Sequence, residues 1–271
     1  MSLTLHIDSH TGISGDRMIG ALCALGLRPS ALEWELSKLP IGDFHMHFER
    51  VGEGVRFTIH EGATHRHDAE GEGHCCEGGH DHGHAHHHHG DDHDDHDHEG
   101  DCCGHHAHGD HDHHHDHQEQ HPLPEIRAAV AGSDLSPFVR ERACAILQRL
   151  EAVTPQPLTS GERLEWVARI VGTCVGLEQL GVATITASPL RESRETAREA
   201  VLTLLAGLPL ERTDDPHPLF TPEGAAIVAE LVSSFSTGPT VSGGTIGIGI
   251  GETCGCSQTP ATLTLLLGSP A

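Results

Sequence analysis

The densest reactive chemistry in this chain is a run of imidazoles, thiols and carboxylates between residues 74 and 117. Its first half carries His74, Cys75, Cys76, His80, His82, His84, His86, His87, His88, His89, His93, His96 and His98. Its second half carries Cys102, Cys103, His105, His106, His108, His111, His113, His114, His115 and His117. Neutral imidazole and thiolate are good ligands for Ni2+, Zn2+, Co2+ and copper ions, and the interleaved carboxylates add charge attraction. At about four ligands per ion, the 23 histidines between His60 and His121 could hold roughly five or six ions. The affinity order places copper above nickel and zinc, so the composition names a class of metal and not one metal. Labile, multisite binding of this kind suits a buffer or donor; the plain alternative is a solubilising linker without a metal role. Protonating all 23 histidines would carry the stretch from a formal −16 to +7. Bound metal should therefore leave as pH falls through the imidazole range near 6.5.

A second constellation is DSHTGISGD, from Asp8 to Asp16, where a strand turns through two glycines into a helix. Backbone N–H groups at that helix start could receive a phosphate, and Asp8 and Asp16 could hold a divalent cation. The spacing is neither a dinucleotide fingerprint nor a Walker loop, so the competing reading is a tight turn in which Ser14 or Asp16 caps the helix. Smaller candidates follow. His6 shares a strand face with Asp8, and His10 flanks it on the other side. His45 and His47 alternate on an expected strand, as ligands or as part of a polar sheet face. Cys254 and Cys256, in GETCGCS, are either a surface metal relay or buried small hydrophobes. Cys23, Cys144 and Cys174 fall within apolar helical patterns and are expected in the core.

These residues need a scaffold, and 271 residues suffice for one larger domain or two small ones. From His60 to His121 lie 23 of the 28 histidines and 17 of the 40 acidic residues against one basic residue, Arg66; the stretch carries −16 of the formal −24, leaving −8 elsewhere. No part offers the basic surface that a nucleic-acid partner requires. No apolar window reaches 18 residues, so no membrane span is expected. MSLTLHIDSH lacks the features of a signal peptide. The nine cysteines, without regular spacing, then read as reduced thiols in the cytoplasm.

Along the chain, Leu3 to Ser9 alternates as a strand, and Asp16 to Leu25 reads as a helix closed by Gly26. Pro29 to Leu39 suits a second helix, and Phe44 to Val51 with Val55 to Ile59 a hairpin around GEG. Residues 61–120 offer almost nothing apolar to offset the entropy of ordering, so this histidine- and aspartate-rich insertion is expected to be disordered without metal. Helices follow over Glu125 to Val130, Pro137 to Leu150, Glu162 to Leu180 and Glu195 to Leu205, with a strand at Val182 to Ser188. Thr221 and Pro222 open a further helix as cap and first helical residue, and GTIGIGIG and ATLTLLLG are late strands. The pattern is α/β, strands alternating with helices. Residues 1–60 form its N-terminal βα part, 61–120 the insertion, and 121–271 the remainder.

DSHTGISGDRMIGALCALG closely resembles the opening of the LarC family, the nickel-insertion proteins of nickel-pincer cofactor biosynthesis. Asp8, Gly12, Ile13, Ser14, Gly15, Asp16, Gly20, Ala21 and Leu22 match the family's start, while Arg17 stands where methionine is usual. A histidine-rich insertion sits at the same place in the family. HPLPEIRAAV follows with His121, Leu123 and Ile126 matching, and then RIVGTCVGLEQLG, TPEGAAIVAEL and TIGIGIGETC in family order. The chain also departs from the pattern. A family segment rich in His, Glu and Asp is here SGERLEWVARIVG, of which only Ile170, Val171 and Gly172 survive. RESRETAREAVLTLLAG replaces another family segment, and Glu223 stands where threonine is common. The chain stops at LLLGSPA, where many relatives continue into a second domain.

The resemblance implies a CTP-dependent nickel chelatase of the lyase class, inserting Ni2+ into a pyridinium-3,5-bisthiocarboxylate mononucleotide. Asp8, Ser14 and Asp16 would serve catalysis, and Gly12, Gly15, Thr221 and Gly224 would frame the precursor nucleotide. CTP with Mg2+ or Mn2+ would come through a partner domain, on a separate C-terminal chain if the protein is split, and a homo-oligomer is expected. Two other readings stay open: a non-enzymatic store or buffer of nickel, zinc or cobalt with a decayed active site, and a structural subunit.

Overall fold

The structure, a computed structural model, describes residues 2–62, 119–251 and 260–271. The histidine-rich tract, with all its expected ligands and its expected disorder, and Cys254 and Cys256 lie outside the described residues. The two flanking segments, Met1–Thr64 and Gln118–Ala271, form one compact unit.

An interior strand of its sheet is β1 (Leu3–Asp8), buried along most of its length. A strand with neighbours on both sides needs partners from distant sequence. It pairs antiparallel with β11 (Thr262–Pro270) and parallel with β6 (Val182–Ala187). β10 (Val241–Ile250) extends the sheet antiparallel to β11. The hairpin β2 (Phe44–Val51) and β3 (Gly54–Glu61) joins through a short parallel pairing of β3 with β10. Gly52, at φ 59°, supplies the left-handed residue in the two-residue turn that closes this hairpin. With β9 (Ser234–Phe235) beside β6, the order is β2-β3-β10-β11-β1-β6-β9, a mixed seven-stranded sheet, and β4 (Gln120–His121) pairs separately with β5 (Leu158–Thr159).

α1 (Gly15–Leu25) lies directly on this sheet because β10 presents glycines to it. A Cβ on Gly249 would sit 1.8 Å from the Arg17 carbonyl oxygen, and one on Gly247 2.4 Å from that of Ala21. Ile246, just before these glycines and alternating to the opposite face, is 58 % exposed. α5 (Ser160–Gln179) packs on α1, its buried face running from Leu164 through Ile170 to Leu177. Thr159 and Glu162 close its start as a capping box. α3 (Leu123–Ala131), α4 (Pro137–Glu151) and α7 (Pro222–Leu231) complete the helical layer.

Two expected helices are shorter than the sequence pattern suggests. α2 spans Pro29–Leu36 and not Pro29 to Leu39; Leu39 precedes Pro40, whose ring disfavours helical geometry in the residue before it. α6 spans Glu199–Leu204 and not Glu195 to Leu205. Upstream of it, β7 (Leu190–Ser193) pairs in parallel with β8 (Leu210–Thr213). The Ser193 hydroxyl then accepts from the Thr196 amide and holds a turn before α6.

Candidate functional site at the α1 amino terminus

The Asp8–Asp16 turn is built against the loop that enters α7. Gly12 has φ 77° and donates its N–H to the Ser9 carbonyl at 2.9 Å. A Cβ there would lie 1.9 Å from the Leu219 carbonyl oxygen, and one on Gly224 would lie 2.3 Å from that of Ile13. Gly15 packs so closely on Arg169 that its Cβ would fall 2.4 Å from the arginine Cβ. These three glycines therefore have a packing reason to be small. Thr221 caps α7 by accepting from the Gly224 N–H, and its own N–H reaches the Ile13 carbonyl. On the far side, the buried Glu192 carboxylate accepts from the backbone N–H groups of Ser193, Leu219 and Phe220, fixing the path into α7.

Ser14 is the N-cap of α1, accepting from the Arg17 N–H, so the capping alternative is realised. Arg17 is 6 % exposed and folds back over the turn. Its Nε donates to Ser14 Oγ at 2.9 Å, Nη1 to the Thr11 carbonyl at 2.7 Å and Nη2 to the Leu219 carbonyl at 3.2 Å. Burial pulls its pKa down to about 10, with Asp16 acting the other way; the side chain stays charged at neutral pH.

Asp16 faces a different arginine. Arg169, on α5, donates from Nε to Asp16 Oδ1 at 2.6 Å and from Nη1 to Glu223 Oε1 at 3.2 Å, and its Nη2 forms an ion pair with Glu165 Oε2 at 3.1 Å. One guanidinium thus joins carboxylates from α1, α5 and α7. Burial works against the Arg169 charge, but Asp16, Glu223 and Glu165 together outweigh it and raise its pKa. Glu223 is 1 % exposed; burial raises its pKa, opposed by Arg169, its own backbone and Thr221. Asp16, Glu165 and Arg169 line a pocket of about 70 Å³ with Arg56, Thr58 and His60. That is well below the roughly 300–1,000 Å³ of a typical ligand pocket.

Asp8 is engaged elsewhere. It accepts from the His10 N–H, with His10 Nε2 at 3.7 Å. His6, 3 % exposed, places Nδ1 2.9 Å from Thr186 Oγ1; burial lowers its pKa, with Asp8 partly opposing, so the ring is neutral. Among the described residues no three His, Cys, Asp or Glu side chains are arranged to hold a metal ion. Cys23 and Cys174 are pushed up to about 12 by burial, and Cys144 is raised by burial as well. All three are packed in or against the core, as their helical positions predict.

Arg169 is the site residue that sequence reasoning passed over, because SGERLEWVARIVG reads as a loss of polar residues. The available signal was a lone arginine inside an apolar helical run with Glu165 four residues before it. Glu192 carried no sequence signal.

A profile of nickel insertion proteins matches residues 5–270. The chain is 32 % identical over 277 residues to the pyridinium-3,5-bisthiocarboxylic acid mononucleotide nickel insertion protein of Lactiplantibacillus plantarum, covering 92 % of this chain and 58 % of that protein. It is 26 % identical to the protein of that name from Staphylococcus epidermidis, covering 93 % and 56 %. With the Desulfitobacterium hafniense protein of the same name the identity is also 26 %, covering 91 % and 54 %. The chain thus spans little more than half the length of these relatives. No solved structure matches the chain significantly. With the Asp8–Asp16 turn and the α5 and α7 helices all inside the matched span, the chain belongs to the nickel insertion protein family.

Proposed function

We propose that this protein collects Ni2+ and delivers it to a pyridinium-3,5-bisthiocarboxylic acid mononucleotide, the compound in its relatives' names. The family match from residue 5 to residue 270 carries this reading. The tract supplies nickel ligands in number. The Asp8–Asp16 turn and the Thr221–Gly224 helix start, side by side through the Thr221–Ile13 hydrogen bond, form the frame around which the mononucleotide docks. Asp8, half-exposed, and Ser14 at the α1 cap are the polar groups closest to that frame in sequence. Because the Arg169 cluster leaves only a small pocket, docking requires Arg169 to release Asp16 or the mononucleotide to sit outside it.

The insertion is a metal chelation of the lyase class, with CTP and Mg2+ or Mn2+ used by a domain corresponding to the rest of the relatives' length. That domain is further sequence of this protein or a separate C-terminal chain. A homo-oligomer in the cytoplasm, without nucleic-acid or membrane partners, completes the reading. Among the described residues no helix is long and apolar enough to cross a membrane. One observation favours a second reading, storage or buffering of nickel, zinc or cobalt: the Arg169 guanidinium sits among the carboxylates of Asp16, Glu165 and Glu223 and takes the place a cation would fill there.

The two readings part on product. Purified chain, NiCl2, CTP and the mononucleotide, with and without the C-terminal half of a relative, should yield the nickel-bearing mononucleotide by mass spectrometry. No product under either condition removes the insertion reading and leaves storage.

A further inference from the structure

Three histidines on the hairpin lie outside the site described above. Strand alternation sets His45 and His47 on one face of β2, and the register places His60 of β3 directly opposite His45. All three are exposed. The ring centroids of His45 and His47 are 4.3 Å apart in an edge-on contact, and those of His47 and His60 are 6.3 Å apart. No hydrogen bond to another described residue engages any of the three rings. The neighbouring pair on the same face, Glu49 and Arg56, satisfies itself through a 2.8 Å ion pair and does not compete.

We infer that His45, His47 and His60 form a surface site for a borderline divalent cation, Ni2+ or Zn2+. Two imidazoles at i and i+2 of one strand, with a third directly across from the first, can converge on one ion. The metal–nitrogen distance of about 2.0–2.1 Å then leaves further coordination positions for water or an incoming ligand. In the structure the rings rest against one another and do not aim their nitrogens at a common point. Exposed side chains exchange rotamers on the picosecond-to-nanosecond scale, so metal gathers the ligands without moving the backbone. The hairpin's register fixes the spacing in advance.

Position gives the site a use. His60 lines the small pocket that holds Asp16 and Arg169, and the sequence runs from Glu61 straight into the histidine-rich tract. An open three-histidine site on the strand that feeds the tract is a landing point for metal on its way to the α1 turn. This use rests on the nickel-delivery reading; the site itself does not.

The test is histidine footprinting of the full chain with diethylpyrocarbonate, read residue by residue by peptide mass spectrometry. NiCl2 is added in excess of the tract's capacity. With nickel at about ten times the Kd of the site, mass action predicts roughly tenfold lower labelling of His45, His47 and His60 together. In His47→Ala, which changes an exposed position and is checked by circular dichroism, His45 and His60 should lose that protection. Equal labelling of the three residues with and without nickel overturns the site. So does protection of His45 and His60 that survives in His47→Ala. Neither outcome depends on whether the mononucleotide is metallated.

Discussion

Two polar regions of one fold treat their ligand-capable side chains in opposite ways. At the α1 amino terminus three carboxylates converge, and Arg169 answers each with a separate nitrogen, while Arg17 binds the Thr11 and Leu219 carbonyls. On the outer face of the hairpin three imidazoles stand together and bond to no other described residue. The first region is closed by its own cations and contributes to stability. The second is open and contributes almost nothing to stability. Donor atoms alone therefore do not locate a metal site; what matters is whether a protein cation already occupies their centre.

The contrast can be broken most strongly at Arg169. Arg169→Ala strands the nearly fully buried Glu223 beside Asp16, and removing one partner of a buried ion pair costs about 3–5 kcal/mol. A urea titration should show that loss, and Glu223→Gln in the same background should restore part of it, because the stranded charge is gone. If the single variant is as stable as the parent, the closed cluster is not a structural device. Arg17→Met should cost about 1–2 kcal/mol through the unpaired Thr11 and Leu219 carbonyls.

His6 gives a smaller, pH-dependent effect. Its pKa is lowered by burial, so below the ordinary imidazole value the unfolded chain binds the proton more readily than the folded one. His6 therefore adds stability above about pH 6.5 that is lost as pH falls through the lowered folded value. Urea midpoints at pH 7 and pH 5 should lie closer together in His6→Gln than in the parent. Smallest of all, His47→Ala should shift stability by less than about 0.5 kcal/mol, as expected for an exposed position. A larger loss would mean that the hairpin histidines are structural.

Much of the scaffold was legible in the sequence because its signals are local. Ser14 and Gly26 bracket α1, Thr221 and Pro222 open α7, and the Gly52 turn sets the hairpin register. β7 and β8 were not legible. They pair in parallel across an intervening helix, and four residues of each carry too little periodicity to read as strands. In the site, spacing alone narrowed the α1 cap to Ser14 or Asp16, and the structure has Ser14 in that place. The convergence of Asp16, Glu165 and Glu223 on one guanidinium could not, because three separate helices bring it about. His60 falls between the two cases: it reads as the edge of the tract, yet the two-residue turn at Gly52 already pairs it with His45.

The central claim is that nickel held by this protein reaches the mononucleotide. Protein loaded with radioactive nickel and freed of unbound metal is mixed with the mononucleotide, CTP and the C-terminal half of a relative. An excess of unlabelled nickel is present to dilute any ion that escapes. Delivery predicts a radioactive mononucleotide at close to the specific activity of the loaded protein. Label that stays on the protein, or a mononucleotide carrying only unlabelled nickel, contradicts it.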